Sequence, residues 1–237
     1  MEIKVLFDKE SIEKEFKTGW GVSFLIDDSV LFDTGENGDW LFANMQRLKV
    51  DVDRIVAVVI SHHHWDHTDG LWELLNRKRG LKVYGCPHFD TDFKEKVVRF
   101  KGEFIEVESI TEVTENIFIT GEIKSCYKGE YISEQALMVK TVQGITVVTG
   151  CSHPGIVKII QKVKEDFPRE EINLVFGGFH LMDKERREIE IIADKLKEMG
   201  VHKVGPTHCS GCEAQLIFKE RYKDGYIPIN VGKILMI

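Results

Sequence analysis

The chain has 237 residues, 43% hydrophobic and 30% charged, with a formal net charge of −7. That length suits one α/β domain with a sizeable core. The acidic balance, without any Lys/Arg block or aromatic–basic stripe, argues against binding to RNA or DNA. No apolar stretch approaches the roughly 18–20 residues needed to cross a bilayer, and Met1-Glu2-Ile3-Lys4-Val5 lacks the form of a signal peptide. Five cysteines, an odd number, fit reduced thiols. These features lead us to expect a cytoplasmic protein without a membrane or nucleic-acid partner. Lys and Glu are abundant while Asn and Gln are sparse, a bias of thermophiles.

Residues 3–7 read as a first strand, and 21–26 with 30–32 as a hairpin around Asp27-Asp28. Trp40, Leu41, Met45 and Leu48 fall at helical spacing and predict an amphipathic helix. The apolar run 55–60 reads as a buried strand, and 69–77 as a helix with Leu71, Trp72, Leu74 and Leu75 inward. The stretch 85–135 is less regular, with strand-like pieces and charged loops bearing Phe89, Phe93, Phe100, Tyr127 and Tyr131. It is either peripheral packing or a lid, since binding residues collect on loops. Strands resume at 136–142 and 145–149, followed by a helix from about Pro154 to Asp166. The span 184–199 is a helix stopped by Gly200, and 212–222 another. Periodicity alone gives an α/β class without a linker or tandem repeat.

Ser61-His62-His63-His64-Trp65-Asp66-His67 directly follows the strand at 55–60. In layered α/β proteins the C-terminal ends of strands are where ligands collect. Neutral imidazole and carboxylate are the donors that borderline divalent metals such as zinc prefer. Three later segments repeat the pattern of strand, small-residue turn and histidine, ending at His153, His180 and His208.

The spacing His62-x-His64-x-Asp66-His67 resembles the signature of the metallo-β-lactamase superfamily. His63 falls outside that register and is expected to face away. Val30-Leu31-Phe32-Asp33-Thr34-Gly35 is similar to the family's early strand, whose aspartate braces the metal loop from behind. The resemblance implies a four-layer αβ/βα sandwich, one domain over 1–237 with a lid or insert around 85–135, and one or two divalent metals. Zinc is the foremost candidate, with manganese or iron as substitutes. By the same resemblance His62, His64 and His153 hold the first metal and Asp66, His67 and His208 the second, and water between them becomes the nucleophile. His180 stands where the family usually has a bridging aspartate, and imidazole cannot bridge as a carboxylate does. The pair would then be bridged by hydroxide only, or a single metal bound, or His180 would face the substrate as acid or anion binder. Asp66 and His180 are the candidate catalytic groups. The exchange leaves the centre one charge more positive, so we expect a small anionic substrate such as a phosphate ester, a phosphodiester or a carboxylate.

Gly150-Cys151-Ser152-His153-Pro154-Gly155, Gly177-Gly178-Phe179-His180-Leu181 and Pro206-Thr207-His208-Cys209-Ser210-Gly211 are similar to one branch of the superfamily. It is grouped with 7,8-dihydropterin-6-methyl-4-(β-D-ribofuranosyl)-aminobenzene-5′-phosphate synthase. The expected activity is metal-dependent hydrolysis of a small ester, phosphodiester or lactone. The alternative is that synthase's condensation, and the alternative from another class is a non-catalytic metal or redox module. An RNA-processing nuclease is disfavoured by charge. Cys209-Ser210-Gly211-Cys212 lacks a second Cys-x-x-Cys for a zinc knuckle. These cysteines and Cys151 therefore read as buried thiols near the site. The amides opening the helix at 212 could hold a substrate anion. His88 and His202 match no motif and read as structural.

Overall fold

The computed structural model describes residues 1–237. Its first half runs β1 (Glu2–Phe7), β2 (Ser23–Ile26), β3 (Val30–Phe32), α1 (Gly38–Arg47), β4 (Ala57–Val59), α2 (Trp65–Arg77), β5 (Lys82–Gly85), α3 (Thr91–Arg99) and β6 (Glu103–Glu106). The second half runs β7 (Thr111–Thr114), β8 (Ile117–Ile119), β9 (Ile123–Tyr127), β10 (Glu130–Glu134), β11 (Leu137–Thr141) and β12 (Gly144–Thr149). It continues through α4 (Ile156–Asp166), β13 (Ile172–Gly178), α5 (Arg186–Glu198), β14 (Val201–Thr207), α6 (Cys212–Tyr222) and β15 (Ile234–Met236). A seven-stranded sheet has the order β15-β1-β2-β3-β4-β5-β6, and a six-stranded sheet the order β14-β13-β12-β11-β8-β7. Strands β9 and β10 form a separate hairpin.

Strand side chains alternate between faces, so a continuous apolar run feeds two layers at once. Val59 joins Phe24, Phe32, Val148 and Phe176 between the sheets, whereas its neighbour Val58 packs outward with Leu71, Leu74 and Val97 of the first three helices. In the second sheet Val148 and Phe176 face the centre, while Val147 and Val175 pack against Ile159, Ile160, Ile189, Leu196 and Phe218. Helix, sheet, sheet, helix is the αβ/βα sandwich expected from the sequence. Strands β3 to β6 run parallel, as do β12, β13 and β14. Their shared direction brings the turns after β3, β4, β12, β13 and β14 to the loops that carry Asp33, the histidine motif, His153, His180 and His208. No helix is long and apolar enough to cross a membrane.

One expectation needs correction. Helix α2 begins at Trp65, not at 69, so Asp66 and His67 lie in its first turn with His64 at the N-cap. A carboxylate there meets the positive end of the helix dipole, which is why the motif's tail is helical. Most of 85–135 is scaffold: β6 extends the first sheet, β7 and β8 extend the second, and Phe89 and Phe93 are buried in the outer core. Only the β9–β10 hairpin, with Tyr127 and Lys128, reaches the pocket that holds the histidines.

Phe176 is fully buried between the sheets and meets Phe24 edge-on at 5.0 Å. Phe176→Ala should cost about 3–5 kcal/mol of stability. Denaturant unfolding would show it as a lowered midpoint with an unchanged slope.

Candidate metal centre

Asp33 is fully buried just past β3, in left-handed backbone at φ 52°. Its Oδ1 accepts the Ser61 amide at 2.7 Å, and its Oδ2 accepts Ser61 Oγ at 2.7 Å. The same Oδ2 accepts His67 Nδ1–H at 2.7 Å. His67 Nε2 faces Asp66 Oδ2 at 3.4 Å; burial works against charge on the ring, but the Asp33 and Asp66 carboxylates raise its pKa well above the ordinary histidine value. Ser61 Oγ spends its one proton on Asp33, so His62 Nδ1–H is the donor across the 2.9 Å contact between them. The lone pair of His62 then lies on Nε2, which faces His64 Nδ1 at 3.0 Å.

The donor atoms of His62, His64 and His153 lie within 4.8 Å of one another, and so do those of Asp66, His67 and His208. These are the two trios that the resemblance implies. Neither ring nitrogen of His153 has a hydrogen-bond partner, although both are buried. Burial and the neighbouring imidazoles push His62 below its ordinary pKa, and push His153 down to about 2. Burial likewise lowers His64. These rings are neutral at pH 7, the state in which imidazole binds a metal. Burial works to raise the Asp66 carboxyl, but hydrogen bonds from His208 and His67 hold it well below the usual carboxylate range. Neutral His62, His64 and His153 beside an ionised carboxylate, with both His153 nitrogens unpartnered, fit a divalent metal and suit zinc, and His67 would shed its extra proton to join them.

His208 lies in left-handed backbone at φ 51°, against the Trp20 ring at 4.8 Å, with the Gly21 amide 3.2 Å from Nδ1. Ligation through Nε2 would move the ring proton to Nδ1 and oppose that amide contact. Recruiting His208 therefore costs that amide contact. His180, at φ 52°, meets the tilted His153 ring at 4.5 Å and Tyr127 edge-on at 5.0 Å, with Nδ1 buried and unpartnered. It joins neither trio; its donor atom groups with those of His153 and Cys151. A hydrogen bond with Cys209 raises its pKa against the effect of burial. His63 turns away to Asp90 at 3.2 Å and Phe89. His88 pairs with Glu122 at 2.8 Å and His202 with Glu171 at 2.7 Å.

Three polar residues escaped the sequence analysis, and Cys212 was misread there. Fully buried Glu134 accepts the amides of Cys151 at 2.9 Å, Ser152 at 2.6 Å and His153 at 2.7 Å, and so shapes the loop after β12. Next to it, Gln135 Nε2 donates to the carbonyls of Ile60 at 2.9 Å and Tyr84 at 3.2 Å, tying the second sheet to the ends of β4 and β5. Asp8 accepts Thr207 Oγ1 at 2.6 Å beneath His208, and burial raises its pKa to about 6. An aspartate directly after the apolar run 3–7 was the signal that pointed to it. Cys209 is buried as expected, but Cys212 is exposed. The start of α6 opens onto a separate hollow beside Gln215 and Leu216, away from the histidines. Cys151 is buried, but it lines the pocket with its Sγ 3.4 Å from His67 Nε2. The pocket, about 360 Å³, is walled by Trp20, Trp65, Tyr127 and Met182, with Lys128 and Asp183 at its charged edges.

The family model of the metallo-beta-lactamase superfamily matches residues 21–125. The crystal structure of Tm1679, a metal-dependent hydrolase of the beta-lactamase superfamily, is 33% identical with a TM-score of 0.85, covering 100% of this chain and 99% of that one. The chain belongs to the metallo-β-lactamase superfamily. Within it, the chain is 27% identical to a 7,8-dihydropterin-6-methyl-4-(beta-D-ribofuranosyl)-aminobenzene-5'-phosphate synthase of Methanocaldococcus jannaschii, over 96% of this chain and 93% of the relative. An uncharacterized protein of the same organism, MJ0448, is 29% identical over 99% of this chain and its own full length. The superfamily typically binds divalent metal, in keeping with the two donor trios.

Burial raises Glu134 from 4.5 to about 7, although its three amide donors oppose the shift. A carboxyl with a raised folded-state pKa takes up a proton on folding. Its contribution is full below about 4.5 and is lost as pH rises through about 7. The loss is on the order of 3 kcal/mol. Glu134→Gln should flatten that part of the stability profile in metal-free protein, while removing one amide acceptor at a cost of about 1–3 kcal/mol. Thermal midpoints across the same pH range would read it, and a profile as steep as wild type would refute the assignment.

Proposed function

We propose that the protein is a metal-dependent hydrolase acting on a small anionic ester, phosphodiester or lactone. The observation that best supports this is the convergence of two donor trios on one open pocket. His62, His64 and His153 would hold one ion, zinc by preference, and Asp66, His67 and His208 a second. Bound there, the metal supplies Lewis acidity that activates water and polarises a carbonyl or phosphoryl oxygen.

The rest of the work falls to the chain. Asp33 and Glu134 fix the two loops that carry the donors, so little reorganisation is needed when substrate arrives. Asp66 stays ionised and orients donors toward the reacting centre. His180 is placed to hold a proton for the leaving group, or to bind an anionic oxygen. Lys128 at the hairpin tip draws an anion to the mouth, and Trp20, Trp65 and Tyr127 exclude water around its less polar part. Five free cysteines accord with a reducing compartment, and we place the protein in the cytoplasm. The net charge of −7 supports a small-molecule partner over a nucleic acid.

A second reading, condensation of a dihydropterin with a ribofuranosylaminobenzene phosphate, is favoured by the near full-length similarity to the synthase and by the aromatic walls. The metal-loaded protein, given both precursors and separately a panel of phosphodiesters and lactones, distinguishes the two. A C–N coupled product supports condensation and turnover of the panel supports hydrolysis. Tight metal binding with neither would leave a non-catalytic module.

His62→Ala and His64→Ala should each lose metal and activity while circular dichroism shows a folded chain. His180→Ala should lower kcat by about 10²–10⁴-fold if the ring is the general acid, and an unchanged rate would remove it from the mechanism. A phosphorylated substrate should be preferred to its neutral analogue in kcat/KM, and equal values would overturn the anionic assignment.

A further inference from the structure

We propose that Cys151 is a metal ligand shared by the two histidine trios, a reading that rests on the metal-dependent function above. Its sulfur, which would give up its proton on binding a metal, lies within reach of both trios, and the His180 ring does not.

The argument starts from position. Cys151 groups with His62 and His67, with His153 and His180, and with His208 and Cys209, so its sulfur is within reach of donors from both trios. The Sγ lies 3.4 Å from His67 Nε2, the ring nitrogen turned away from Asp33. His180, by contrast, groups only with Cys151 and His153, on the side of the first trio. An imidazole nitrogen has one lone pair, whereas a thiolate carries a negative charge and several, and is among the preferred donors to zinc.

The backbone around Cys151 is arranged to bring the sulfur inward. The Glu134 carboxylate holds its amide, and the next residue, Ser152, takes a left-handed φ of 64°. Glycines clear the approach on two sides. A Cβ at Gly150 would sit 2.0 Å from Ser61 Oγ and 2.9 Å from Asp33 Oδ2. At Gly178 it would sit 2.7 Å from Cys209 Sγ and 3.2 Å from the Cys151 Cα. Cys209 is the natural rival, but it groups only with Cys151 and His208, and its Sγ–H points to the Cys151 carbonyl at 3.6 Å. A shared thiolate returns to the centre the negative charge that the exchange of aspartate for His180 removes. Preference for an anionic substrate would then rest on the metals and on Lys128.

The test uses cobalt(II) loaded into the metal-free full chain, read by absorption and by metal stoichiometry. Wild type and Cys209→Ser should show the sulfur-to-cobalt charge-transfer band in the near ultraviolet, and Cys151→Ser should lack it. Loss of an outer partner of a metal site costs about 10–100-fold in affinity, so Cys151→Ser should weaken binding by about a hundredfold or more. Cys151→Asp should restore stoichiometry without the band, and serves equally if the serine variant fails to fold. Cobalt bound by wild type without the band, or a band that survives Cys151→Ser, overturns the proposal and leaves the metal-dependent reading standing. A wild-type chain that binds no cobalt overturns both.

Discussion

The geometry of the centre depends first on one buried carboxylate. Asp33 holds the amide and hydroxyl of Ser61 and the Nδ1 of His67, and through Ser61 it also sets the tautomer of His62. Without it the motif after β4 would be a run of polar residues with no reason to point its nitrogens in one direction. Glu134 does the equivalent for the loop after β12, accepting three consecutive amides. Each half of the sandwich thus contributes a loop shaped by an acidic side chain that itself faces no substrate. Gln135 then ties the halves together, with two carbonyls of the first sheet bound to a residue that leads into the second.

Burying so many polar groups is costly, and the structure indicates how the cost is met. The imidazoles lose water and are pushed toward the neutral state, while Asp66 keeps its charge only through the hydrogen bonds of His67 and His208. Asp33, Ser152, His180 and His208 also occupy left-handed backbone, a conformation that costs roughly 1–2 kcal/mol for a residue with a side chain. Such outliers persist where the surrounding structure over-determines them, and they cluster at functional sites. A ligand that binds the native state alone offsets costs of this kind by mass action. The two donor trios are where a cation would do so.

Much of this was legible in the amino-acid order. The short spacing of His62, His64, Asp66 and His67 after an apolar run named the first loop, and the repeated strand–turn–histidine pattern found His153, His180 and His208. The two-sheet architecture followed from the resemblance, because alternating apolar runs alone specify neither layer count nor strand order. What stayed hidden was polar and long-range. Glu134 and Gln135 sit between weak strand signals, and their partners lie 17 to 75 positions away in the chain. Cys151 looked like an ordinary packed thiol, since burial and metal proximity leave the same trace in a sequence. The tail of the motif was placed outside α2 because histidine and aspartate are poor helix formers in the interior of a helix, yet at its first turn they are well placed.

The β9–β10 hairpin differs from everything else around the pocket. It pairs with neither large sheet; its base is anchored by Glu134, which accepts three amides of the loop after β12, and by Ser125 Oγ to the His153 carbonyl at 2.9 Å, so that the tip stands apart. Tyr127 and Lys128 ride on it, while every donor of the two trios is rooted in the sheet edges and α2. In the proposed function, recognition and reactivity thus fall on separate pieces of the chain. The tip of the hairpin is open to exchange, lengthening or recolouring of its charge while Glu134 at its base keeps the His153 loop in place, which is how one scaffold comes to serve many substrates.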